Sequence, residues 1–122
     1  MPEPNLSERQ RLLVKCLGEL FQYATQQGYD LTLGEGHVEE KRRTRTGQIV
    51  FDGVHKLGSL HYLRLALDLN LWVSGTYITD GGNPVWAELG AYWESLDRLA
   101  RWGGRFRSGD ANHVSIEWQG KA

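Results

Sequence analysis

Four histidines are the residues best suited to chemistry in this chain: His37, His55, His61 and His113. Asp68 is the carboxylate that stands out. It falls in a run with Leu65, Leu67, Leu69 and Leu71, where an ionised group needs a partner to offset its lost hydration. A metal ion is one such partner. His61 and Asp68 are seven residues apart and so of opposite parity on a continuous strand. Fully extended, they would also be roughly 23 Å apart at about 3.3 Å per residue. Ligands of one ion cannot be so distant, so a shared site requires the chain to bend between them, near Tyr62–Arg64. Spacing alone leaves open the plainer reading of a surface histidine and a carboxylate at a sheet edge. The single cysteine, Cys16, excludes both an intrachain disulfide and a Cys-rich zinc site, leaving His, Asp and Glu as donors. Cys16 borders an apolar stripe and reads as a small buried hydrophobe.

The elements that must position these residues follow from periodicity. Residues 7–27 read as a helix, with Ser7 as cap, Gln10 at the capping-box position, and Leu13, Leu17, Leu20, Phe21 and Ala24 on one face. Gly28 is its stop. Residues 30–34 read as a short strand. Residues 35–58 show no clear period and carry Lys41, Arg42, Arg43 and Arg45, which suits either a functional loop or a poorly ordered segment. Residues 63–72 alternate: the four leucines face one way, and Ala66, Asp68, Asn70 and Trp72 the other. Asn83-Pro84 opens a second helix. Trp86, Leu89, Trp93, Leu96 and Ala100 mark its apolar face, and Gly103 is expected to end it. Residues 113–118 alternate again. The expected class is α+β, with two main helices on a small, mainly antiparallel sheet that carries the metal site.

Two motifs sharpen the metal reading. Ser59-Leu60-His61-Tyr62-Leu63-Arg64-Leu65-Ala66-Leu67-Asp68 resembles the Ser-x-His-x-x-Gly-x-Ala-x-Asp motif of the zinc D-alanyl-D-alanine carboxypeptidase and L-alanyl-D-glutamate endopeptidase family. The family's second motif is a carboxylate three residues before a histidine. Here it reads Asp110-Ala111-Asn112-His113, just after Trp102-Gly103-Gly104, an approach similar to that of the phage endolysin branch. The motifs lie about 45 residues apart with a helix between them. The resemblance implies Zn2+ bound by His61, Asp68 and His113, with Asp110 as general base and Ser59 supporting the site by hydrogen bonding. Two imidazoles and one carboxylate leave a fourth zinc position open, where a water acquires a pKa of about 7. Glu117, on the same strand face as His113, is the competing base. Arg64 replaces the motif glycine, so the local turn is expected to differ, and Arg64 is a candidate for substrate binding.

The same resemblance implies a peptidoglycan stem peptide as substrate. Its free carboxylates call for an arginine, which the family places upstream of the first motif. Arg43, ahead of Gln48, is the first candidate, and Arg42 and Arg45 compete with it. A solvated basic loop is the plain alternative. His37 and His55 fall in neither motif and read as surface residues. Trp93 and Trp102 could line the cleft, although Trp86 and Trp93 at helical spacing also suit a core.

Length and composition limit the rest. One domain over residues 1–122 is expected. The net charge of −1 provides no global field for nucleic acid. No stretch reads as a membrane anchor or a signal peptide, and a monomer is expected. The functional expectation is a phage endolysin, made in the host cytoplasm and acting on the periplasmic wall after membrane permeabilisation. A D-alanyl-D-alanine carboxypeptidase or dipeptidase and a non-catalytic wall-peptide-binding module are the alternatives.

Overall fold

The computed structural model describes residues 2–36, 41–43, 49–51 and 59–122, with the two short segments described by backbone alone. The first helix, α1, spans Leu6–Gln26. Its cap is Asn5 rather than Ser7, and the reciprocal partner is Glu8 rather than Gln10. Glu8 N–H donates to Asn5 Oδ1 at 2.8 Å, and Asn5 N–H donates to Glu8 Oε1 at 3.0 Å. Asparagine caps as well as serine, and here it has the glutamate three residues on. Gln10 instead donates its side-chain amide to the Leu63 carbonyl at 2.8 Å. α1 buries Leu13, Cys16, Leu20 and Ala24.

The strands are β1 Tyr29–Leu33, β2 Lys41–Arg43, β3 Ile49–Phe51, β4 Ala66–Val73, β5 Thr76–Tyr77, β6 Ala100–Trp102 and β7 His113–Ile116. The main sheet runs β1-β4-β7-β6, with β5 also on β4, and β2 pairs separately with β3. Every pairing is antiparallel. Two helices on a small antiparallel sheet make the fold α+β, as the periodicity led one to expect.

Three boundaries differ from the sequence reading. β4 begins at Ala66, not residue 63, because Leu60–Leu63 form a 3-10 turn closed by Arg64 in the left-handed region at φ 57°. The second helix, α2, spans Pro84–Leu96, with Asn83 Oδ1 accepting from Val85 N–H. It ends at Asp97 rather than Gly103 because Asp97 Oδ1 accepts from Leu99 N–H at 2.9 Å and turns the chain. Ala100 therefore belongs to β6. β7 does not alternate: all four of its residues are buried, as befits a strand flanked on both sides. Trp86 and Trp93 lie in the core, and the Trp93 indole donates to the Ser115 carbonyl at 3.1 Å.

Candidate metal centre

The bend between His61 and Asp68 is a capped 3-10 turn. Ser59 Oγ accepts from His61 N–H at 3.2 Å. Arg64 N–H donates to the His61 carbonyl, and Leu65 N–H to that of Leu60. The chain doubles back, so His61 returns to Asp68 instead of standing a strand's length away. Arg64 occupies the left-handed conformation that a glycine would adopt without cost; its side chain is exposed.

Asp68 and His113 face each other across the β4–β7 pairing. Asp68 is held from the other side by the segment after β1. Gly34 N–H donates to the Asp68 carbonyl at 2.8 Å, and Asp68 N–H donates to the Glu35 carbonyl at 2.7 Å. Next along, the Gly36 carbonyl lies 2.8 Å from His61 Nδ1. A carbonyl only accepts, so Nδ1 carries a proton, and Nε2 is the nitrogen turned toward Asp68.

His61 Nε2 lies 3.4 Å from Asp68 Oδ1, and His113 Nδ1 lies 3.3 Å from the same oxygen. One donor atom from each residue falls within 4.8 Å of the others. His61 and His113 are buried. Among the described residues, Asp68 Oδ1 has no hydrogen-bond partner. A buried carboxylate oxygen between two imidazole nitrogens needs a positive charge beside it, either a proton on a ring or a bound cation. The titration of the group reflects the same field. Burial pushes Asp68 upward, but contact with His113 and His61 outweighs it and holds the carboxyl down to about 2. Burial disfavours the charged form of His61, yet Asp68 and the Gly36 carbonyl raise its pKa above the ordinary value. The two distances to Asp68 also suit a metal: two ligands each about 2.0–2.1 Å from a tetrahedral zinc are about 3.3 Å apart. His61, Asp68 and His113 thus form a group able to hold a metal ion.

Asp110 Oδ2 lies 3.8 Å from His113 Nδ1, and its side chain is 48% exposed. The turn that carries it is fixed to Gly103, whose carbonyl accepts from Asp110 N–H at 2.9 Å. A Cβ at Gly103 would stand 2.2 Å from the Asp110 carbonyl oxygen and 2.7 Å from His113 Cβ. Gly103 is therefore the close-approach point for the second motif, not a helix stop. Trp102 donates its indole N–H to the Ala111 carbonyl at 2.7 Å and lies where Gly90 of α2 has no side chain.

The other expected residues fall elsewhere. Glu117 accepts from Arg9 at 2.9 Å and from Gly120 N–H at 2.6 Å, so both its oxygens are engaged away from the metal-binding group. Arg42 and Arg43 stand on β2. Arg45, His37 and His55 lie outside the described residues. Sequence reasoning missed Gln10, Gly36 and the structural role of Gly103. Gly34-Glu35-Gly36 carried a signal, since paired glycines after a strand mark close backbone approach; Gln10 carried none. No protein-family model and no curated protein matches this chain.

Proposed function

We propose that this protein is a zinc-dependent peptidase of peptidoglycan stem peptides, acting on the L-alanyl-D-glutamate bond as a phage endolysin. The observation that carries this reading is Asp68 Oδ1, buried without a hydrogen bond between two imidazole nitrogens, with the half-exposed Asp110 carboxylate beside His113. His61, Asp68 and His113 would hold a zinc ion, which would supply Lewis-acid chemistry at a carbonyl and an acidified water. Asp110 receives a proton from the attacking water and returns it to the leaving amine. Its exposure suits this role, because the group that exchanges protons must be reachable by substrate. Asp68, less exposed, is a ligand and not a base. Ser59 and the Gly36 carbonyl orient His61. The arginine that pairs with the substrate carboxylate is sought among Arg42, Arg43, Arg45 and Arg64.

The test is incubation of zinc-loaded protein with purified sacculi, with and without chelator. Mass spectrometry of the released ends should show new glutamyl amines, in a reaction that stops with chelator and resumes with zinc. Release of free D-alanine would assign a carboxypeptidase instead. Binding to sacculi without any cleavage, in wild type and Asp110→Asn alike, would make the protein a binding module. Expression in a Gram-negative host should be tolerated until the inner membrane is permeabilised, and lysis should follow. Among the described residues, no helix is long and apolar enough to cross a membrane.

A further inference from the structure

A cleft of about 290 Å³ opens beside the metal-binding group. Its position follows from strand pairing. On one edge of β4, β7 pairs with Ala66–Asp68 and β5 pairs with Trp72 and Val73. Between them the two partners part, and the cleft forms over Leu69 and Asn70. Asp68 immediately precedes the lining residue Leu69, and Asn70, which lines the cleft, shares its strand face about 7 Å away by strand geometry. One wall is the segment through Ile78 and Thr79; the other is Ala111 and Asn112, between Asp110 and His113. The walls meet at Gly81, where a Cβ would lie 3.5 Å from that of Ala111.

The lining is chemically uniform. Among the described residues, none that lines the cleft is charged. Among the described residues, Asn70 uses only its side-chain carbonyl oxygen, which accepts from the Tyr77 hydroxyl at 3.4 Å, and its amide N–H groups remain for a ligand. Thr79 and Asn112 add neutral hydrogen-bonding groups over an apolar floor of Leu69 and Trp86. Carboxylates stand at the margins: Asp80 lies between the lining residues Thr79 and Gly81, and Asp110 adjoins Ala111. An anion entering here would lose hydration, meet no cation among these residues and face two like charges.

We infer that this cleft is the subsite for the uncharged half of the substrate: an N-acylated, small alkyl residue and the neutral group that continues from its acyl nitrogen. The inference rests on the peptidase reading, in which one side of the cleaved bond is neutral alanine and the other bears a carboxylate. It places the carboxylate-bearing half on the opposite side of the metal-binding group, away from Asn70 and Thr79. Asn70, Thr79 and Asn112 then determine specificity without taking part in bond cleavage.

The test uses two stem-peptide probes identical except at the alanine nitrogen, one acetylated and one succinylated, the second bringing an added carboxylate. Zinc-loaded wild type should cleave the acetyl probe with at least about 10-fold higher kcat/KM. Asn70→Ala and Thr79→Val should each raise KM for the acetyl probe by about 5–10-fold, the loss of one hydrogen bond, with kcat, zinc content and melting temperature unchanged. Equal cleavage of both probes, or variants that lower kcat and leave KM alone, would overturn the assignment. Calorimetric binding of both probes to zinc-loaded Asp110→Asn separates the two readings. If wild type cleaves neither probe but binding still favours acetyl and weakens with Asn70→Ala, the subsite stands and the peptidase reading falls. If binding ignores the probe's charge and Asn70, the subsite falls whatever the turnover.

Discussion

Asp68 and Asp110 both lie within 4 Å of the same imidazole nitrogen, yet their surroundings give them different work. Asp68 is 19% exposed and sits between two histidines, whereas Asp110 is 48% exposed and lies beside His113. In the proposed function, the first would share a cation and the second would exchange a proton with solvent. Asp110→Asn should therefore keep one zinc per chain, measured by elemental analysis, while kcat on sacculi falls by about 10²–10⁴-fold, the usual cost of losing a general base. Turnover near wild type would remove Asp110 from that role. Arg64 makes a second residue-scale case. A non-glycine residue at φ 57° costs about 1–2 kcal/mol, and a glycine there gives back about 0.4–1 kcal/mol through the unfolded chain. Arg64→Gly should thus stabilise the protein by about 0.5–1 kcal/mol, a rise of about 2–5 °C in Tm. Its guanidinium is exposed and makes no ion pair among the described residues, so kcat/KM should hold. A fall in kcat/KM would instead identify Arg64 as the partner of the substrate carboxylate.

At the scale of elements, the site depends on backbone approaches more than on side-chain packing. The Asp110–His113 turn rests on Gly103, where no Cβ fits. Gly103→Ala must displace either the turn or β6. The cost should be about 1–3 kcal/mol from overpacking, seen as a lower denaturation midpoint, with zinc affinity weakened about 10–100-fold, as when a ligand's support is disturbed. An affinity that is unchanged despite lost stability would show that the turn moves without carrying His113. This dependence also explains what the sequence made legible. The periods of α1, β4 and α2 were readable because each buries one face. The shared site of His61, Asp68 and His113 was indicated by the resemblance of the two motifs; spacing alone required only that the chain bend between His61 and Asp68, and left their partnership with His113 open because that rests on a strand pairing 45 residues apart. The end of α2 was misplaced because Ala100 continues the apolar spacing while the Asp97 turn breaks the backbone. The contribution of Gly36 was not legible, because a backbone carbonyl 25 residues from His61 leaves no mark on side-chain pattern.

Across the whole molecule, the two ends of the chain are tied together behind the sheet. The Arg9 side chain, 7% exposed, pairs with Glu117 at 2.9 Å. It also donates to the carbonyls of Pro4 and Glu117 at 2.9 and 2.6 Å and lies over the Trp118 ring at 5.3 Å. Glu117 directly follows β7, the strand that carries His113, so this clamp fixes the far end of a ligand-bearing element against α1. A buried guanidinium that loses its carboxylate typically costs 3–5 kcal/mol. Here the Pro4 and residue-117 carbonyls remain, as does the exposed Glu3 carboxylate 3.4 Å from Arg9, so Glu117→Ala should cost about 2–3 kcal/mol. If Glu117 were instead the base, substitution would lower kcat with little loss of stability, so the two roles separate cleanly. The pH dependence gives a further check. The Gly120 N–H bond, opposed by burial and reinforced by Arg9, holds Glu117 below its ordinary value of 4.5. A carboxyl depressed by folding contributes stability above its unfolded pKa and loses it as pH falls through the folded one. Metal-free wild type should therefore lose stability progressively as pH drops below about 4.5, and Glu117→Gln should flatten the upper part of that decline. Asp68, held near 2, would contribute only at the more acidic end. Chemical denaturation of both proteins between neutral pH and pH 3 measures the difference, and parallel stability curves would show that Glu117 does not contribute through its charge.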